Sequence, residues 1–326
     1  MSLEAKVLAV DLDGTLIASD MLHESFWATL GSDRGAMLRA FGKFVTGGRP
    51  ALKAALADGA EIDVALLPYK EAALEEIRTA KARGDHVVLA TASDGKIAHE
   101  IADHLGLFDE VMASDGETNL KGRAKADALI EKFGEGGFAY LGDSAADLPV
   151  WAASGEAISI DAPANLRSRI TAPRVRHLKD AEGQGQTLRA GLKALRPHQW
   201  LKNLLVFIPM LLAHDFSTST IVAAVAAFVA FSLVASSVYV LNDLVDLSAD
   251  RSHPRKRRRP FASGALPLSA GLFLAPGLLI GGLVIGALAG SLFVLVLLFY
   301  YLCTLTYSFG LKRVTVIDIC MLAGLY

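Results

Sequence analysis

Lys6-Val7-Leu8-Ala9-Val10-Asp11-Leu12-Asp13-Gly14-Thr15 is the stretch on which the reading of the N-terminal half turns. Its apolar run, Val7 to Val10, lacks polar alternation and reads as a strand buried on both faces, ending at Asp11. Short runs of the same kind recur at 87–90, 110–113, 138–141 and 157–160. Helical patterns lie between them, over 20–83 with a break at Gly47-Gly48-Arg49-Pro50, around 95–105 and over 122–133. Strands alternating with helices predict an α/β doubly wound parallel sheet. Ligands of such sheets sit beyond the carboxyl ends of the strands. The polar residues that follow each strand are therefore the candidates.

Four pieces meet that condition: Asp11-Leu-Asp13-Gly14-Thr15, Thr91, Lys121 and Gly142-Asp143-Ser-Ala-Ala-Asp147. Their chemistry is coherent. A carboxylate such as Asp11 can attack phosphorus and form an aspartyl phosphate. A second carboxylate, Asp13, can protonate the leaving oxygen and then activate water. Mg²⁺ favours a few carboxylates together with phosphate oxygens and water. Asp11, Asp143 and the Asp13 carbonyl supply such donors. Thr91 and Lys121 are placed to bind phosphate, with Lys125 competing for the role of Lys121. Ser93 and Asp94 either reach the site or cap a helix.

These pieces, in this order, resemble the haloacid dehalogenase (HAD) superfamily. The resemblance covers about residues 5–165. It implies Asp11 as nucleophile, Asp13 as general acid/base, Thr91 and Lys121 as phosphoryl ligands, Asp143 as Mg²⁺ ligand and Asp147 as support for the metal site. An Asp at the second position resembles a phosphatase rather than a dehalogenase. Residues 16–85 stand where that family inserts a substrate-selecting cap, here of helical pattern. The expected domain is 1–165, followed by a linker over 166–195.

The rest of the chain has another character. Of 326 residues, 52% are hydrophobic. Residues 1–195 hold 22 basic and 29 acidic side chains, whereas 196–326 hold 10 basic and 5 acidic. An acidic half joined to a basic, apolar half excludes a single globular domain. Apolar runs occur at 204–213, 220–241, 266–289, 291–309 and 314–326. About 20 apolar residues span a bilayer, so the first and last runs are short. The expectation is an all-α polytopic membrane domain, incomplete at Tyr326, in the cell membrane. Basic loops at 251–259 and 312–313 face the cytosol by the positive-inside rule. The N-terminal domain, with no signal-peptide pattern at its start, is expected on that same side. Residues 189–195 read either as a membrane-surface helix or as a plain linker helix. Cys303 and Cys320 lie in apolar stretches and read as packing residues.

Asn242-Asp243-Leu-Val-Asp246-Leu-Ser-Ala-Asp250 closes the second apolar run. On a continuous helix its three aspartates share a face. Carboxylates at a membrane boundary are costly unless they bind cations. Two Mg²⁺ bridging a diphosphate would account for them. His253-Pro254-Arg255-Lys256-Arg257-Arg258-Arg259-Pro260-Phe-Ala262-Ser263-Gly264 follows. Together these match NDxxDxxxD and HPxKxxRPxASG, and Tyr307-Ser308 with Leu311-Lys312 matches YSxxLK. The residues resemble the UbiA-type intramembrane prenyltransferases over 196–326. Arg196-Pro197-His-Gln199-Trp200-Leu-Lys202-Asn203 resembles the opening of one branch, decaprenyl-phosphate phosphoribosyltransferase. The resemblance implies Mg²⁺ and diphosphate at Asn242, Asp243, Asp246 and Asp250. Lys202, Lys256, Arg259, Tyr307 and Lys312 would neutralise phosphate oxygens. The family's second Asp-rich loop is missing, so a fragment is expected. The implied partners are a polyprenyl lipid, a diphosphate substrate and the bilayer, without nucleic acid.

The expected function is transfer of a phosphoribosyl group from phosphoribosyl diphosphate to a polyprenyl phosphate, with the HAD-like domain removing a phosphate from the product. Two alternatives stay open. One is an aromatic prenyltransferase of quinone or lipid synthesis with an attached HAD domain; the other is a phosphatase on a non-catalytic membrane anchor.

Overall fold

The computed structural model describes residues 7–60, 62–114, 119–180 and 187–309. It divides into two compact units. The first lies within Met1–Thr187 and also takes in Ser248–Arg258 and Ala262–Pro267; the second lies within Leu188–Leu247, Arg259–Phe261 and Leu268–Tyr326.

The first unit runs β1 (Val7–Val10), α1 (Met21–Ser32), α2 (Arg34–Gly59), α3 (Glu71–Ala82), β2 (His86–Asp94), α4 (Gly95–Leu105), β3 (Glu110–Ser114), α5 (Arg123–Phe133), β4 (Ala139–Gly142), α6 (Leu148–Ala153), β5 (Glu156–Ile160), α7 (Ala164–Arg167) and β6 (Arg174–Leu178). The strands form one parallel sheet in the order β3-β2-β1-β4-β5-β6. Alternate residues of each strand feed opposite cores. Leu8, Val10, Val87, Leu89, Leu141 and Ile158 pack on one face with Ile77, Ile97 and Ile101. Ala9, Val88, Ala90, Tyr140 and Ala157 pack on the other with Leu129, Val150 and Trp151. Burial on both faces is the reason the strands read as unbroken apolar runs.

One reading of this unit is corrected. The sheet has six strands rather than five, because β6 lies within the stretch read as a connector. Four of the five β6 residues are exposed, so no apolar run marks it. A charged edge strand is how sheets end without inviting further pairing. Arg176 of β6 holds Glu76 and Glu156. The helical insertion between β1 and β2 is three helices, with α2 kinked at Gly48 (φ 69°) as the Gly-Gly-Arg-Pro break implies.

The second unit begins with α8 (Thr187–Ala194) and a run of 3₁₀ turns over Pro197–Phe207. It continues with α9 (Ile208–Ala213), α10 (Thr218–Val245), α11 (Leu247–Ser252), α12 (Leu268–Gly286) and α13 (Ser291–Phe309); most of α11 is assigned to the first unit. Among the described residues three helices, α10, α12 and α13, are long and apolar enough to cross a membrane. The apolar run at 204–213 is not a fourth. It is divided between 3₁₀ turns and the six-residue α9, which stops at His214 in the left-handed region (φ 52°). The run at 314–326, with Asp318 and Cys320, lies outside the described residues.

Small residues let the spanning helices approach closely. A Cβ on Gly282 would lie 2.7 Å from Val234 Cγ2 and 2.9 Å from the Ala230 carbonyl. Ser237 Oγ donates to the Ala275 carbonyl across helices at 2.7 Å. Both are devices of packing in hydrocarbon. Phe273, Leu292, Leu295, Phe299 and Leu302 stay exposed on α12 and α13, an apolar surface suited to lipid.

Candidate functional site

Asp11 follows β1 directly, and its N–H donates to the Leu141 carbonyl of β4 at 2.9 Å. The end of β1 is thus fixed beside the end of β4, where Asp143 stands. The carboxylates of Asp11, Asp143 and Asp147 offer ligand atoms within 4.8 Å of one another. Among the described residues no other acidic, histidine or cysteine group meets that condition. Gly14 is part of the geometry. Its backbone is left-handed (φ 74°), and a Cβ there would overlap the Asp143 carboxylate.

Each carboxylate has its own partners. Thr15 Oγ1 donates to Asp143 Oδ1 at 3.2 Å. Asp147 accepts from the Tyr140 hydroxyl at 2.8 Å and from the backbone N–H groups of Asp143 and Ser144 at 3.2 and 3.0 Å. Lys125 Nζ donates to Asp11 Oδ1 at 2.6 Å and to the Tyr140 hydroxyl at 2.9 Å. Lys125 itself is 3% exposed.

Two buried carboxylates, Asp11 and Asp147, and the half-buried Asp143 thus share the contact of Lys125, with Lys70 acting on Asp143 from further off. Burial pushes Asp11 up to about 8 against the pull of Lys125. Burial, reinforced by Asp147, pushes Asp143 up to about 7. Tyr140 is raised well above the usual phenol range by burial and the neighbouring carboxylates, so it remains a donor. Hard oxygen donors with a surplus of negative charge suit a small divalent cation. The residues present fit such an ion.

Asp13 stands apart from the acidic group. Its carboxylate accepts from the Met21 N–H at 2.7 Å and from Ser93 Oγ at 2.6 Å. Burial, reinforced by Asp20, pushes it up to about 6. A carboxyl near that value holds a proton for part of the time at neutral pH, which a general acid/base needs. Thr91 is fully buried within β2, just past the last regular β2–β3 pair at Ala90, and its Oγ1 accepts from the Ser93 N–H at 3.0 Å. Of the two residues read as either site or cap, Ser93 reaches Asp13, whereas Asp94 caps α4 through the Lys96 N–H.

The lysine assignment is revised. Lys121 is exposed. Lys125, one helical turn further on, is the lysine in contact with Asp11. The family resemblance implied Lys121, but α5 starts at Arg123, and its buried side carries Lys125 with Ala126 and Leu129. A lysine on the apolar stripe of an amphipathic helix was the available signal.

In the membrane half, α10 ends at Val245 and the chain leaves the helix at Asp246 (φ −95°, ψ 20°). Asp243, Asp246 and Asp250 therefore do not lie on one continuous helix, as the spacing argument supposed. Asp243, 1% exposed, is held by Arg196 and by Arg259 Nη1 at 3.0 Å. Arg196 lies over the Tyr239 ring, 5.2 Å from its centre. Its contact with Asp243 was not foreseen from the sequence. Asp250, also 1% exposed, has Lys256 Nζ at 4.0 Å. Lys202 is exposed, Asn242 and Tyr307 are half-buried, and Lys312 lies outside the described residues. Near Lys202, Trp200 Nε1 donates to Ser236 Oγ at 3.0 Å and Asn203 Nδ2 to Ser232 Oγ at 2.9 Å, tying the 3₁₀ run to α10.

Comparison with known proteins accounts for both halves. Residues 8–151 match the haloacid dehalogenase-like hydrolase model, and residues 203–326 match the UbiA prenyltransferase family model. An uncharacterized protein of Sinorhizobium fredii, y4nM, is 39% identical over 322 residues, covering 98% of this chain and 62% of its own length. Decaprenyl-phosphate phosphoribosyltransferase of Mycolicibacterium smegmatis is 42% identical over 148 residues, covering 44% of this chain and 46% of its own. The nodulation protein NoeC of Azorhizobium caulinodans is 37% identical over 134 residues, 41% of this chain and 44% of its own. The chain thus spans less than two thirds of each of these relatives. Residues 8–151 are a haloacid dehalogenase-like hydrolase domain, and residues 203–326 belong to the UbiA prenyltransferase family.

Proposed function

We propose that the N-terminal domain is a Mg²⁺-dependent phosphomonoesterase. The observation that carries this reading is the buried Asp11–Asp143–Asp147 group with Lys125 on Asp11. Bound at Asp11 and Asp143, with the Asp13 carbonyl and Asp147 in support, Mg²⁺ would supply charge neutralisation at the phosphoryl oxygens.

The chain's own residues carry the steps. An Asp11 carboxylate oxygen attacks phosphorus, and the bond from phosphorus to the ester oxygen breaks. Asp13 gives its proton to that departing oxygen, releasing an alcohol. Asp13, now a carboxylate, takes a proton from the water that attacks the aspartyl phosphate. Phosphate leaves, and the Asp11 carboxylate is restored. Lys125 holds Asp11 in place and offsets charge as the phosphoryl group arrives. Thr91, in the neighbouring strand β2, serves as a phosphoryl ligand.

The membrane half is proposed to transfer the phosphoribosyl group of phosphoribosyl diphosphate to a polyprenyl phosphate. Asn242, Asp243, Asp246 and Asp250 would hold Mg²⁺ and diphosphate, with Arg259, Lys256, Lys202, Tyr307 and Lys312 as phosphate ligands. The Arg196–Asp243–Arg259 arrangement supports an anion site there, since guanidinium groups bind phosphate through paired N–H donors. The transferred group carries a 5-phosphate, which gives the phosphatase a monoester within the same reaction sequence. The whole is proposed to be a multi-pass protein of the cell membrane with its hydrolase domain in the cytosol.

The test uses membranes containing the protein. With radiolabelled phosphoribosyl diphosphate and decaprenyl phosphate, label enters the lipid, and the D11N variant accumulates the phosphorylated form. Label entering an aromatic acceptor from a prenyl diphosphate instead would overturn the transferase reading.

A further inference from the structure

We propose that Arg251 is a positioning residue for the phosphatase site, acting on Asp13 through Glu24. The inference rests on the reading of Asp13 as general acid. Arg251 lies in Ser248–Arg258, a stretch belonging to the first unit. Glu24 and Arg251 are 3% and 9% exposed. The guanidinium grips the carboxylate with two parallel bonds, Nη1 to Oε2 at 2.9 Å and Nη2 to Oε1 at 2.6 Å. Its remaining Nε–H donates to the Ala262 carbonyl at 3.1 Å. Ser19 Oγ completes the shell of Glu24. A buried bidentate pair of this kind is rigid, and removing one partner strands the other charge.

What it holds is the entry to α1. Glu24 stands in the first turn of that helix, three residues after Met21, whose N–H donates to Asp13 Oδ1. The Gly14 N–H donates to the Ser19 carbonyl at 2.9 Å, closing the loop that begins beside Asp13. The same loop is braced a second time. Gly264 is left-handed (φ 76°), and a Cβ there would lie 2.8 Å from Ala18 Cβ. Ala18–Glu24 is thus fixed at two points by chain from more than two hundred residues later.

Asp11 is fixed independently, by β4 and by Lys125. Loss of Arg251 therefore displaces the proton donor while leaving the nucleophile in place. A displacement of about 1 Å is enough to impair a positioned group.

This asymmetry sets the experiment. The full chain is assayed with Mg²⁺ on two probes, 4-nitrophenyl phosphate and phenyl phosphate. The first releases a leaving group that departs unprotonated; the second needs a proton. The constant kcat/KM reports only the steps up to the aspartyl phosphate. R251Q is expected to lower kcat/KM for phenyl phosphate about tenfold more than for 4-nitrophenyl phosphate, a fraction of what a general acid contributes. R251K is expected to recover part of that loss, and E24Q to reproduce its pattern. Equal loss on both probes, or no loss, in a variant with an unchanged thermal transition would overturn the proposal. Should R251Q not fold, E24Q and R251K carry the same comparison. A wild-type chain inactive on both probes, or a D11N variant of full activity, would instead overturn the phosphatase reading itself.

Discussion

Two acidic sites in one chain are treated in opposite ways. At the carboxyl end of the sheet, one lysine, Lys125, touches the Asp11–Asp143–Asp147 group, and burial holds two of the three far above the usual carboxylate range. At the end of α10, Asp243 is more deeply buried but carries two guanidinium partners. The first site is short of positive charge and the second supplies its own. Sequence acidity alone does not distinguish them, since both read as aspartate-rich motifs. The difference lies in which cations the fold brings alongside.

The comparison is broken most easily at Asp11. D11N removes the attacking oxygen, and turnover of 4-nitrophenyl phosphate should fall by about 10³-fold or more. A variant retaining a tenth of the activity would mean that Asp11 does not form the intermediate.

The lysines give the next largest effect. K125M should cost about 10²-fold in kcat, a typical loss for one charged stabilising group, whereas K121M should stay within about twofold. The reverse ranking, read in parallel assays of the two purified variants, would restore Lys121 as the phosphoryl ligand.

Stability without added metal separates the two sites directly. D243N removes the carboxylate that both guanidinium groups grip while keeping some contact with water, and should destabilise by about 2–3 kcal/mol, less than a fully buried pair. D143N removes a carboxylate that burial and Asp147 already disfavour, and should leave the metal-free chain as stable or more so at pH 8. Chemical denaturation in EDTA measures both. Destabilisation by both variants alike would mean that the sheet site is not short of positive charge.

The smallest expected effect is in pH. Asp11, Asp13 and Asp143 all have raised values, to about 8, 6 and 7. The native state therefore binds more protons than the unfolded chain over that range. By linkage, metal-free stability should fall as pH rises through these values. Added Mg²⁺ competes with those protons, so the rise in Tm that it produces should be larger at pH 8 than at pH 6. A Mg²⁺ shift independent of pH would sink the link between the acidic group and the metal.

Most of the architecture was legible before any coordinates. Parallel strands buried on both faces leave unbroken apolar runs, and polar residues after those runs marked Asp11, Asp13, Thr91, Asp143 and Asp147. What escaped had little or no apolar signature. β6 is a charged edge strand, and its exposed residues carry no run to read. The stretch at 204–213 has the composition of a membrane segment, yet its backbone is divided into short pieces.

The two-part organisation, the strand-end acids and the order of the motifs are written in the chain itself. These follow from local composition and period, which survive in one dimension. Which cation meets which acid is settled by folding: Lys125 rather than Lys121 at Asp11, Arg196 and Arg259 at Asp243, Arg251 at Glu24. Asp11 and Lys125 are 114 residues apart, and Glu24 and Arg251 are 227 apart. Electrostatic pairing acts over a few ångströms of space and is indifferent to such separations. It becomes readable only when the sheet and the helices that bury these side chains have set their distances.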